Sequence, residues 1–231
     1  MADMTAAEAA EALGVTPRQV ARLTAEGRIQ SARRVGRTLV LDAESVRRLA
    51  QQRRRRGRPW TERIAWATLM ILSGSDVAWI TPPERVRLTH RLRKAEADDL
   101  AYLTSQRAQV QRFRCHPSAL DELSSHIVRS GTSALTEADL RRLGLTRAAD
   151  RLDGYIPSDA LGPIIDGFGL SADLTGNVIL RTVATEDAFA DGQTPRAAIA
   201  LDLAESLDTR DHAAGLRDLT TLLGDLSHRE R

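Results

Sequence analysis

Apolar positions in the first fifty residues follow the spacing of three short helices, with a strand pair before the third. Ala6, Ala9, Ala10 and Leu13 fall at i, i+3, i+4 and i+7, one stripe of a 3.6-residue helix. Thr5 precedes the stripe and Glu8 follows three residues on, the pattern of a capping box; Gly14 supplies a left-handed stop. The chain then restarts. Thr16 reads as a second N-cap, Pro17 as the first helical residue and Gln19 as the partner in a second capping box. Val20 and Leu23 point inward, and Gly27 ends the helix. Two short capped helices joined by a Gly-containing turn predict a helix-turn-helix unit. Residues 29–41 read as two strands around a turn at Val35-Gly36-Arg37, with Ile29, Leu39 and Leu41 inward. Asp42 is placed to cap a third helix that buries Ala43, Val46 and Leu49.

The pattern changes at Trp60. Residues 64–74, IAWATLMILSG, predict a helix buried on most sides through Ile64, Trp66, Leu69, Met70 and Leu72. Thr81-Pro82-Pro83-Glu84 is another capping box and opens a helix to about Lys94, with a further helix near 96–106. Residues 110–115 alternate like a strand, 117–125 read as helical, and 154–157 and 177–183 are strands with a helix from Ser158 to Asp166 between them. The tail reads as two helices broken around Leu207 to Thr209. The expected class is α+β: a winged helix-turn-helix over 1–52, a basic linker over 53–59, and a larger mixed α/β domain over 60–231.

Charge sharpens this division. The net charge of +2 conceals a basic head and an acidic body. Residues 1–60 hold 13 Arg against 6 acidic groups, whereas residues 116–231 hold 11 basic against 19 acidic groups. A basic head predicts a polyanionic partner at one end of the molecule. No apolar run approaches the roughly 20 residues that span a bilayer, and the start lacks a basic segment before an apolar one, so neither a membrane span nor a secretory signal is expected. A single cysteine, Cys115, has no internal disulfide partner, which fits the cytoplasm.

The candidate chemistry sits in the head. The second helix leaves Arg18, Gln19 and Arg22 outside, near the N-terminal end formed by Thr16 and Pro17. Arg reads guanine and Gln reads adenine in the major groove, and this end of the second helix enters the groove in helix-turn-helix proteins. Arg33, Arg34 and Arg37 crowd the tip of the strand pair, where they suit phosphate contact. Arg53, Arg54, Arg55, Arg56 and Arg58 surround Gly57 and precede Pro59, a composition unsuited to a stable helix. Two readings of that joint stand. It is a solvated basic linker that adds phosphate affinity, or its Arg56-Gly57-Arg58-Pro59 core enters the minor groove like an AT-hook.

The body offers no comparable pattern. His90, His116, His126, His212 and His228 do not fall at metal-ligand spacing, and neither a phosphate-binding glycine loop nor a nucleophile elbow occurs. No catalytic residue, metal or cofactor is expected. Cys115 and His116 are neighbours on a strand and point apart, so a half-buried inert thiol is expected. Asp98-Asp99 and the Asp202/Glu205 pair are metal-ligand types, with solvated helix faces as their expected role. Trp66 is expected in the core, and Trp60, beside the basic joint, is left open between packing and base stacking.

Two resemblances follow. The stretch from Thr5 to Leu49 resembles the excisionase-like, MerR-type winged helix-turn-helix family. The recognition helix of that family matches Thr16 to Glu26, and its wing matches Ile29 to Leu41; the heptad-patterned dimerisation helix of full MerR regulators is missing. The arrangement as a whole resembles AbiEi-type antitoxins of type IV toxin–antitoxin systems, through GRPW, AWATLMILSG, RCHPSALDEL, VRSGTSAL and AIALDLAESLDTRDHAAGLRDL. That resemblance implies a repressor of its own operon. For a double-stranded operator, two heads on an inverted repeat, as a homodimer on the DNA, would be the conventional arrangement. The resemblance also implies a body that counters a neighbouring AbiEii-type nucleotidyltransferase toxin. The alternative is a one-component regulator whose C-terminal domain senses a small molecule.

Overall fold

The computed structural model describes residues 3–35, 38–53, 58–184, 187–189 and 191–228. The first sheet is built from β1 (Asp3–Thr5), β2 (Ser31–Val35) and β3 (Thr38–Asp42) in the antiparallel order β1-β3-β2. Around it pack α1 (Ala6–Leu13), α2 (Pro17–Ala25) and α3 (Ala43–Arg53). The helices start where the sequence places caps. Thr5 and Glu8 exchange both bonds of a capping box, and Gly14 closes α1 at φ 63°. The Asp42 carboxylate accepts the Ser45 N–H at 3.0 Å, capping α3. Ala9, Ala10, Leu13, Val20, Leu23, Ile29, Leu41, Val46 and Leu49 form one buried cluster, the predicted stripes brought together. Leu39 has its backbone in β3, but its side chain lies outside the described residues, as do Gly36 and Arg37 of the predicted turn.

The second sheet is larger. Its strands are β4 (Gln109–Arg114), β5 (Val128–Arg129), β6 (Leu152–Pro157), β7 (Ser171–Ala172) and β8 (Val178–Val183), in the order β5-β6-β8-β4-β7. β6 and β8 run parallel, and the other pairings are antiparallel. Its helices are α4 (Glu62–Ser73), α5 (Pro82–Leu92), α6 (Ala97–Leu103), α7 (Leu120–Ser124), α8 (Gly131–Ala134), α9 (Glu137–Leu143), α10 (Leu161–Phe168), α11 (Arg196–Ala204) and α12 (Thr209–His228). Strand alternation divides two cores. Leu152, Ile156, Val178 and Leu180 face one side, with Phe113, Cys115, Leu123 and Ile164. Tyr155 and Val183 face the other side, where Trp66, Leu69, Leu72, Leu201 and Leu222 fill the space under α4, α11 and α12. Trp66 stands edge-on to Tyr155 and Phe189, with ring centroids 5.1 and 4.7 Å away. Arg63 of α4 donates to Glu84 of α5 at 3.1 and 3.2 Å, and this pairing helps hold the Glu84 carboxyl down at about 2.

Several expectations are corrected. The helix expected from Ser158 to Asp166 runs instead over Leu161–Phe168, because Ser158 and the turn after β6 continue the strand's hydrogen bonding: the Ser158 N–H donates to the Val183 carbonyl at 2.9 Å. The helix expected near 96–106 ends at Leu103. Cys115 is buried rather than half-buried. It directly follows β4, where the Asn177 side chain accepts its N–H at 2.9 Å and donates to its carbonyl at 3.1 Å; burial pushes its thiol up.

The helix pair α11–α12 rests on one close approach. A Cβ placed on Gly215 would stand 2.2 Å from the Ala204 nitrogen and 2.5 Å from the Ala200 carbonyl oxygen, both backbone atoms. Gly224, on the same helix, has nothing within 4 Å of that position. Gly215→Ala is therefore expected to destabilise by about 1–3 kcal/mol through overpacking. Gly224→Ala is expected to stabilise by about 0.5–1 kcal/mol through helix propensity. Urea midpoints of the two variants, moving in opposite directions, check this contrast.

Candidate nucleic-acid interface

The N-terminal end of α2 is built to stay open. Thr16, extended at φ −79° and ψ 154°, accepts the Gln19 N–H at 3.3 Å through its hydroxyl. Pro17 takes the first helical position, where a missing N–H costs nothing. The reciprocal bond from Gln19 is not made, so only the Thr16 half of the second expected capping box exists. No acidic residue occupies the first turn. The positive end of the helix is thus left for an outside anion, the situation that favours a DNA phosphate.

Val20 and Leu23 hold the inner face of α2 in the core, and the opposite face carries the candidate readers. Thr16, Pro17, Arg18 and Arg22 are exposed, and Gln19 is half-buried. Arg22 keeps 65 % of its side chain in solvent, with Glu26 one turn on at 3.3 Å. An exposed i,i+4 pair of this kind is worth only a few tenths of a kcal/mol, so it positions Arg22 without withholding it.

After α2 the chain enters the hairpin, with β2 and β3 paired from Ser31 opposite Leu41 to Val35 opposite Thr38 and a bulge between Ser31 and Arg33. Arg33 and Arg34 lie in β2 by backbone; their side chains are outside the described residues, and so is Arg37 entirely. Arg53 closes α3, so the helix runs into the basic joint, although its side chain is not among those described. Arg54, Arg55 and Arg56 lie outside the described residues, and Arg58 is exposed. Trp60 is not free to stack on a base. It is buried, with its backbone N–H donating to the Leu103 carbonyl at 2.7 Å and the Arg91 guanidinium 5.1 Å from its ring centroid.

The other end of α2 meets the second sheet. Gly27, at φ 69°, follows the Glu26 C-cap of α2, and a Cβ placed there would stand 2.5 Å from Arg112 Nε on β4. Behind this contact lies the largest departure from the sequence reading. Asp202 and Glu205, expected on a solvated face, join a buried charge network. Arg107 reaches Asp202 at 2.5 Å and Glu205 at 2.6 Å, the Tyr155 hydroxyl donates to Asp202 at 2.9 Å, and Ser130 donates to its second oxygen. Arg181 Nε stands 3.1 Å from Asp202 without hydrogen-bond alignment, and its guanidinium pairs with Asp153. Burial pushes the Asp202 carboxyl up, but Arg181 and Arg107 outweigh it and hold the carboxyl below the ordinary value. Among the described residues, no group of three or more His, Cys, Asp or Glu side chains is placed to hold a metal ion. No helix among them is long and apolar enough to cross a membrane.

With this geometry established, comparison with known families decides what the head is. Residues 4–54 match the family described as a helix-turn-helix domain. The head is a helix-turn-helix. That domain suggests a DNA-binding regulator with DNA as its partner. No curated protein and no solved structure matches the chain.

Proposed function

We propose that this chain is a sequence-specific transcriptional repressor that seats the N-terminal half of α2 in the major groove of double-stranded DNA. The observation that carries this reading is the acid-free start of α2, capped by the neutral Thr16 hydroxyl alone, with Arg18 and Arg22 exposed beside it. Arg18, Gln19 and Arg22 face base edges; Thr16 and the Pro17 end of the helix meet phosphate. The hairpin acts as a wing that brings Arg33, Arg34 and Arg37 to the backbone, and Arg53 to Arg56 and Arg58 extend the phosphate contact along the duplex. In this reading 1–52 is the DNA-binding domain, 53–59 a basic linker and 60–231 an effector domain. The protein is cytoplasmic, works by binding rather than catalysis, and sits as a homodimer on an inverted repeat.

The finer role we propose is that of the antitoxin of a toxin–antitoxin operon, countering an adjacent nucleotidyltransferase toxin. Its support is the resemblance of the body sequence to AbiEi-type antitoxins. Co-expression tests it: the chain should relieve the growth arrest caused by the nucleotidyltransferase encoded next to it. Undiminished arrest would remove the antitoxin role and leave repression standing. A second reading, small-molecule sensing by the body, is favoured by a cavity of about 310 Å³ between α2 and the second sheet.

A further inference from the structure

The cavity between the head and the second sheet holds an arginine that has no ion-pair partner among the described residues. Arg112 points from β4 on the same sheet face as Arg181, two positions along the strand from Val110, which pairs with Arg181. Its Nε is buried without a hydrogen bond, and among the described residues no carboxylate pairs with its guanidinium. Burial, then the like charges of Arg181 and Arg151, push that guanidinium down to about 10. Arg112 is half-buried as a residue, with Nε its buried end, and a cation drawn even partly from water without a counter-ion is costly.

The carboxylates lining the same cavity are engaged elsewhere. Asp153 and Asp202 face Arg181, Glu205 is held by Arg107, and Asp208 accepts the N–H groups of Arg210 and Asp211. Asp211 accepts the Ser206 hydroxyl, and burial pushes its carboxyl up. Beside Arg112 the lining includes Arg151 and Thr132, together with Thr175 and Asn177, whose side chains are held by Asp173 and by the Cys115 backbone. At about 310 Å³ the space lies at the lower end of the range for small-molecule sites.

We infer that this cavity binds a small molecule through an oxyanion, a carboxylate or phosphate group, taken by Arg112 with Arg151 at its mouth. The bound oxyanion supplies the counter-charge that Arg112 lacks. Arg112 also lies against Gly27, which follows the Glu26 C-cap of α2, so a ligand that moves this guanidinium acts on the end of the recognition helix. This coupling rests on the DNA-binding reading above; the oxyanion site does not.

The test uses the full chain and two simple probes, inorganic phosphate and acetate, each compared with chloride at matched ionic strength. Thermal unfolding is read without DNA for the wild type and for Arg112→Gln. At least one probe should raise the wild-type midpoint well beyond its effect on Arg112→Gln, because salts that merely strengthen burial act on both proteins alike. A response to phosphate alone assigns a phosphate ligand, and a response to acetate alone a carboxylate. In probe-free buffer Arg112→Gln should be at least as stable as the wild type, since it removes an unpaired charge. Equal midpoint shifts in the two proteins, or no shift in either, would overturn the site. The coupling is read separately as the affinity for upstream DNA with and without the active probe. A change of about 5- to 150-fold in the wild type, absent in Arg112→Gln, is expected. A stabilising probe that leaves DNA affinity in both proteins equally affected would overturn the coupling and keep the site.

Discussion

Asp202→Ala should destabilise the chain by about 3–5 kcal/mol, the cost of leaving buried charge without its counter-ion. Arg107 and Arg181 both converge on this carboxylate, and both are almost fully buried. Tyr155 and Ser130 would lose their acceptor as well. A loss of this size is a large share of the total stability of a natural protein, so the variant should unfold at much lower urea concentration than the wild type. The pH dependence follows from the depressed carboxyl. Asp202 contributes stability above its unfolded-state pKa, and that contribution is lost as pH falls through its lower folded-state value. Wild-type stability should therefore decline below about pH 4, and Asp202→Ala should decline less steeply there. Urea titrations at neutral and acid pH check both statements.

Removing Arg18 and Arg22 together should abolish discrimination between operator and unrelated DNA. Each loss of a bidentate base contact costs about 1–3 kcal/mol of specific binding. Neither side chain packs in the core, so Arg18→Ala and Arg22→Ala should leave the urea midpoint near the wild-type value. Residual, salt-sensitive affinity should persist through the other head arginines, because phosphate contacts carry little sequence information. Fluorescence anisotropy with operator and scrambled duplexes separates the two components.

These predictions draw on features of unequal legibility. The head was readable because its signals are local: Thr5 with Glu8, Gly14, Thr16 with Pro17, and Asp42 each fix a helix boundary within four residues. The strand around 110–115 showed in its alternation, and the strand at 177–183 and the break between α11 and α12 were legible as well. β1, β5 and β7 were not readable, since strands of two or three residues carry no period of their own. α8, with the sequence GTSA, has no apolar stripe to reveal it.

The charge network was misread for a different reason. Acidic residues on helices are solvated as a rule, and the partners of Asp202 lie far away in sequence, with Arg107 95 positions off. One signal in the sequence pointed the other way. α11 is apolar almost all round, with Ala197, Ala198, Ala200, Leu201, Leu203 and Ala204 all buried, so it has no wet face for Asp202. A carboxylate in such a helix must find buried cations, and Arg107 and Arg181 are those cations. Arg112 had no signal at all, because being unpaired is a property of the folded neighbourhood and not of the strand that carries it.

The central claim is that α2 reads DNA sequence. Its most direct test is a titration of the wild-type full chain against the DNA upstream of its own reading frame and against a scrambled duplex of equal length, at one fixed salt concentration. The account predicts that the upstream duplex binds at least about a thousandfold more tightly. Equal affinity for the two duplexes would contradict it.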